Sequence, residues 1–285
     1  ALGVIGSRNN GIGIRGMASE SELWFFPVVS LEEGFRLSSA IASAASTLDF
    51  GAVVNYPIAY VGQPINTNLA FYTLLAVATD VGLVNVLAAG NGPVEVGEFA
   101  GEQPVGIVVG ASFPGRLNSP NPPPCPGPGT LRRFSSTNFD LVGEDRRVDV
   151  FAWGQFATTL GYGDLFNGIT STDPSDTPPP LMVNRLRSYS GPCPSGATVP
   201  DPTGGPDIEL QGGIGQFTGT SLAASQISGS IIWLQGMSQM FYGISLSNDQ
   251  LRGDPAQNRQ TILLIGEQNC YLAGDQEFGN DTPGG

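Results

Sequence analysis

Two spacings of hydrophobic positions alternate along the chain. Leu23 to Val29 (LWFFPVV) is a continuous apolar run of strand length, interrupted near its end by Pro27, and predicts a short buried strand. Leu37 to Leu48 then places Leu37, Ile41, Ala44, Ala45 and Leu48 on one helical face, and after Gly51 the stretch Ala52 to Ala59 predicts a strand. Asn68 to Val81 predicts a second helix. Leu83 to Ala89 predicts a strand that runs into Gly90-Asn91-Gly92, and Val105 to Ala111 predicts another.

Strands and helices in alternation predict an α/β fold, a parallel sheet flanked by helices on both faces, with functional groups gathered at the carboxyl ends of the strands. Two stretches break the rhythm, Phe113 to Thr130 and about Leu165 to Gln216, both rich in Pro, Gly, Ser and Asp. They predict long surface loops on one scaffold spanning residues 1–270. Ser221 to Met240 follows as a long helix with little polar face, and Tyr271 to Gly285 reads as a polar, loose tail.

Composition narrows the chemistry. The 285 residues hold 12 Lys+Arg, all arginine, against 25 Asp+Glu, a formal net charge of -13, and no histidine. Such a balance disfavours nucleic acid and anionic membranes as partners. Without His, a Ser-His-Asp enzyme contained in this chain alone is excluded, and without Lys so are Schiff-base and Walker-type chemistries. Charged residues make up 13% of the chain against the usual share of about 25%, which describes a loop-rich, weakly charged globular protein.

No apolar run reaches the ~18 residues of a membrane span. Cys125, Cys193 and Cys270 have no metal-ligand spacing; they leave open one disulfide with one remaining thiol, and so point weakly to an extracellular setting.

Four segments carry candidate chemistry. Gly11 to Gly16 matches G-x-G-x-x-G, but it is followed by a turn instead of a helix, so a tight turn is the better reading than a dinucleotide loop. Phe217 to Ala223 (FTGTSLA) brings a loop to the start of the long helix, with Ser221 either a helix cap or a nucleophile. Ala88 to Gly92 (AAGNG) ends a strand, with Asn91 either a turn residue or a side-chain amide aimed into a crevice. Val148 to Gly154 (VDVFAWG) is a further strand candidate.

Taken in order, these segments resemble the subtilisin-like serine peptidases. GTSLA at 219–223 is similar to that family's Gly-Thr-Ser-x-Ala nucleophile motif, AAGNG to its oxyanion strand, and VDVFAWG to V-D-V-x-A-P-G. NNGIGIRGMA at 9–18 looks like the stretch after its histidine helix. The resemblance implies a secreted serine endopeptidase acting on peptide or protein substrates. Ser221 would be the nucleophile, and Asn91 would hold the oxyanion with the Ser221 N–H. Val54, Asn55, Tyr56 and Pro57, Ala88, Ala89 and Gly90, and Gly219 and Thr220 would line the substrate. The segment Arg8 to Ile14 is either a simple turn or, as the resemblance implies, part of a structural Ca²⁺ site using the carbonyls of Arg8, Ile12 and Ile14 and the Asn10 side chain, oxygen ligands suited to that cation, with the remaining ligands in the N-terminal segment.

The departures from the family pattern shape the reading. The family's Asp and His blocks lie N-terminal to every segment matched here, and alignment places the histidine a few positions before Ala1. The resemblance therefore implies that a preceding or separate N-terminal chain supplies both groups; the alternative is a catalytically dead domain used for binding or structure. Ser225 and Trp153 stand where the family usually has Pro, and Tyr56-Pro57-Ile58 replaces a usual Ser-Leu-Gly, which bears on specificity.

Overall fold

The computed structural model describes residues 1–7, 15–101, 105–112, 137–139, 147–154, 157–160, 213–217 and 219–252. At its centre lies a parallel four-stranded sheet in the order β3-β4-β5-β6, formed by Val53–Tyr56, Val84–Ala88, Ile107–Ser112 and Val150–Trp153. The register pairs Val54 with Asn85, Leu87 with Val108 and Ala111 with Ala152.

Strand geometry turns alternate side chains to opposite faces, and β4 separates its residues accordingly. Leu87 packs toward α2 (Leu37–Thr47) and α3 (Leu69–Asp80), whereas Val84, Val86 and Ala88 pack toward the 23-residue helix α4 (Thr220–Tyr242). All five β4 residues are buried, as a central strand of a parallel sheet requires. The protein is thus a three-layer α/β fold with helices on both faces of the sheet.

Local chemistry sets the helix ends. Asn68 caps α3, its Oδ1 accepting from the Ala70 and Phe71 N–H groups. Helix α4 stops at Gly243, which takes the left-handed conformation of a C-terminal cap. Small residues Ala223 and Ala224 are buried where α4 meets the sheet, and Gly229 stands against Met17. A short helix α1 (Leu2–Gly6) packs against α4, and α5 (Asn248–Arg252) follows it.

Two polar devices hold the layers together. Asn248 Oδ1 accepts from the Asn85 N–H at 3.0 Å and its Nδ2 donates to Leu83 O at 2.7 Å, pairing the start of β4 where β5 has not yet begun. Asp149, just before β6, accepts from Val108 N–H at 2.8 Å through one oxygen and from Arg252 of α5 at 2.6 and 2.9 Å through the other.

On the opposite face the buried Tyr56 hydroxyl donates to Asn85 Oδ1 at 3.2 Å. Burial raises the Tyr56 phenol well above its ordinary value of about 10. The fold therefore favours the neutral phenol, so its contribution is complete below about pH 10 and falls as pH rises above that value. Urea unfolding from pH 8 to 11 should show this alkaline loss, and Tyr56→Phe should remove it while costing about 1–3 kcal/mol at pH 8 through the stranded Asn85 oxygen.

The sequence expectation fails at Leu23 to Val29. Only Val29–Ser30 (β1) is a strand, paired antiparallel with Gly34–Phe35 (β2), and Trp24 and Phe25 are 54% and 72% exposed. An apolar run signals a need for burial without naming a partner; here Phe26 and Val28 pack against the core under α2 and α3, while Trp24 and Phe25 line a groove beside β3 without pairing to it. The end of the second expected loop also differs, since Gly213–Phe217 (β8) pairs antiparallel with Ala157–Leu160 (β7). The strand expected over Ala52 to Ala59 stops at Tyr56, because Pro57 has no N–H for a ladder. The remainder of the two loops, the three cysteines and the tail lie outside the described residues. Among the described residues no helix is long and apolar enough to cross a membrane.

Candidate active site

The carboxyl ends of β3, β4 and β6 converge on the N-terminus of α4. Gly219, the residue before that helix, donates its N–H to Gly154 O at 2.7 Å, which fastens the helix start to the end of β6. It has φ 96° and ψ -178°, a region essentially restricted to glycine. A Cβ at that position would stand 2.9 Å from Asn91 Oδ1 and 3.0 Å from its Nδ2.

Asn91, at the end of the β4 segment, meets the helix through its side chain. Its Oδ1 accepts from the Thr220 N–H at 2.9 Å and from the Thr220 hydroxyl at 3.1 Å. The Thr220 hydroxyl oxygen accepts in turn from Gly90 N–H at 3.2 Å. With Oδ1 committed to Thr220, the residue before Ser221, the exposed Asn91 amide has its Nδ2 donor left to offer.

Ser221 is half-buried, and its hydroxyl donates to Pro57 O at 2.7 Å. A carbonyl oxygen holds that proton in place but is far too weak a base to remove it. Ser225 Oγ donates to Ser221 O at 2.7 Å, and Asn55 Nδ2 donates to Ser225 Oγ at 3.1 Å. The serine found where the resemblance expects proline therefore ties α4 to β3.

The structure thus brings Ser221, Asn91, Gly219, Thr220, Gly90, Asn55 and Pro57 together. Val54 is half-buried on β3. Tyr56, Ala88 and Ala89 are adjacent in the chain but buried, with side chains packed in the core, so toward a substrate they present backbone. Arg8, Asn10, Ile12 and Ile14, the residues expected to ligate calcium, lie outside the described residues.

Three features here carry no sequence signal. Asn138 is fully buried and hydrogen-bonded around the Asn91 loop. Asn55 Oδ1 is buried with no hydrogen-bond partner among the described residues. Beside β3 runs a groove of about 450 Å³, lined by Leu2 and Ile5 of α1, Trp24 and Phe25, Val54 of β3 and Ile232 of α4.

Replacing Gly219 with alanine tests the packing at the helix start. Gly219→Ala should cost about 1–3 kcal/mol of stability from backbone strain, measured by urea unfolding. It should also displace the Asn91 side chain, visible as a shift of its amide resonances.

No model of a known protein family matches this chain, and no curated protein matches it. Among solved structures it is similar to a cold-adapted subtilisin-like serine proteinase, with 18% identity and a TM-score of 0.48 over 88% of this chain and 63% of that one. It is also similar to fervidolysin from Fervidobacterium pennivorans, a keratinolytic enzyme related to subtilisin, with 16% identity and a TM-score of 0.46 over 82% of this chain and 29% of that one. A third is the prenylagaramide maturation protease PagA, with 14% identity and a TM-score of 0.43 over 91% and 76%. The chain spans less than two thirds of the first two.

Proposed function

We propose that this chain is the nucleophile- and oxyanion-bearing part of a serine endopeptidase of the subtilisin type, acting outside the cell. The observation that carries the reading is the grip of Asn91 Oδ1 on the Thr220 N–H at 2.9 Å. It joins two segments, Ala88 to Gly92 and Gly219 to Ala223, that are far apart in sequence and matched separately to one chemistry.

In this reading Ser221 Oγ attacks the carbonyl carbon of the scissile bond as a base removes its proton. The negative oxygen that forms is held between the Ser221 N–H and Asn91 Nδ2, with the positive end of α4 behind it. Collapse expels the amine, which takes the proton from the base, and water then hydrolyses the acyl-serine by the same route. With no histidine in its 285 residues, the chain needs a base and an orienting carboxylate from an N-terminal segment of the same precursor, separate or preceding. The apolar groove beside β3 is a suitable seat for it.

The Ser221 hydroxyl bond to Pro57 O favours a second reading, a domain that kept this architecture for binding and lost catalysis. Intact-mass spectrometry after treatment with a fluorophosphonate, with Ser221→Ala as control, separates the two. One phosphonyl adduct on Ser221 together with a second polypeptide supports the peptidase. No adduct supports the binding domain. Peptide cleavage by this chain with no second polypeptide would overturn the proposal that the base comes from elsewhere.

A further inference from the structure

Asn138 is fully buried and lies more than 40 residues from the loop it serves. Its Nδ2 donates to Gly62 O at 2.6 Å and to Ala89 O at 2.8 Å, while its Oδ1 accepts from Gly92 N–H at 2.9 Å. Its backbone N–H donates to Gly90 O at 2.9 Å. Val94 N–H also reaches Asn138 Oδ1, at 3.5 Å, so the partners are residues 89, 90, 92 and 94, on both sides of Asn91, and residue 62 in the turn that follows β3.

The position of Asn138 is itself fixed by its neighbours. Thr137 Oγ1 accepts from Ala111 N–H of β5 at 2.9 Å. Phe139 exchanges backbone bonds with the next segment, donating to Val94 O at 3.1 Å and accepting from Val96 N–H at 2.9 Å.

Only a short side chain with both donors and an acceptor satisfies this set. Aspartate lacks the donors, leucine has neither, and glutamine is one carbon too long. Gly90 closes the fit, with φ 104° and a Cβ that would stand 2.4 Å from Gly62 O and 2.6 Å from Asn138 Nδ2.

We infer that Asn138 is a positioning residue for Asn91: it locks residues 89–92 so that the Asn91 side chain stays engaged with Thr220 and its amide donor stays beside Ser221. The inference rests on the reading of Asn91 and Ser221 as the reacting pair for its chemical meaning, but its geometric part can be tested without activity.

Amide hydrogen exchange on the full chain supplies the first arm. In Asn138→Ala the Thr220 N–H, which touches Asn91 and not Asn138, should exchange about 10- to 100-fold faster, the size expected when a buried polar contact is undone. Val108 and Ile231 in the core should be unchanged. An unchanged Thr220 overturns the inference, and so does equal acceleration at all three, which would give Asn138 to the fold as a whole. If Asn138→Ala does not fold, Asn138→Ser, which leaves one small polar group at the site but cannot reproduce the amide's set of bonds, is measured against the same outcomes.

The second arm is the rate of Ser221 phosphonylation in wild type, Asn91→Ala, Asn138→Ala and the double variant. If Asn138 acts through Asn91, the double variant reacts no more slowly than Asn91→Ala alone. Additive losses overturn the inference. If the wild type is not labelled at all, the peptidase reading fails, and exchange at Thr220 alone decides the role of Asn138.

Discussion

Replacing Arg252 with methionine is expected to lower the unfolding free energy by about 3–5 kcal/mol, the range for breaking a buried ion pair from one side. Methionine retains much of the apolar stem while removing both guanidinium bonds. The stranded partner is Asp149, whose side chain is 7% exposed and which keeps, among the described residues, a single neutral donor, the Val108 N–H at 2.8 Å. Because Asp149 lies at the junction of β5, β6 and α5, the loss should appear as a shift of the whole urea transition. Replacing both partners by apolar residues should recover much of it, since the largest penalty belongs to the unpaired charge. A transition midpoint unchanged in Arg252→Met would mean that α5 is not held by this pair.

On the proposed peptidase reading, the largest effect on activity is expected for Asn91→Ala. In material containing the proposed complementing segment, kcat should fall by about 10²–10³ while KM changes little, a magnitude known from subtilisin itself and carried over here. Binding of the ground-state carbonyl gains little from the Asn91 donor, whereas the developing oxyanion gains much. Steady-state hydrolysis of a peptide substrate checks the split. A large rise in KM with kcat intact would remove Asn91 from the oxyanion site. Alanine also leaves the Thr220 N–H and hydroxyl without Asn91 Oδ1, so thermal unfolding of the same variant is the necessary control.

Legibility from sequence follows how each feature is encoded. Helix α3 is plain because its apolar spacing is repeated and Asn68 stands at its capping position. The central strands are plain because burial on both faces makes them continuous apolar runs. Leu23 to Val29 looks the same to a pattern reader, yet it lies beside a groove and outside the central sheet; hydrophobicity records the need for cover and not its source. The meeting of the Ser221 and Asn91 segments was legible through short motifs tied to their glycine neighbours. Asn138 was not, because a lone asparagine between Thr137 and Phe139 has no periodicity, and its partners are 46 residues or more away apart from Val94 at 44. The Asp149–Arg252 pair was hidden for the same reason, with 103 residues between its members.

The bond between Gly92 N–H and Asn138 Oδ1 also bears on how the protein ages. Asparagine followed by glycine is the dipeptide most prone to spontaneous deamidation, in which the next residue's backbone nitrogen attacks the side-chain carbon and closes a succinimide. Here that nitrogen is tied down by Asn138, and the Asn91 oxygen is held by Thr220, so the ring cannot close without breaking both restraints. Both restraints should slow conversion of Asn91 to a carboxylate, which could no longer donate a hydrogen bond. The same clamp that sets the geometry of the site also sets its chemical shelf life.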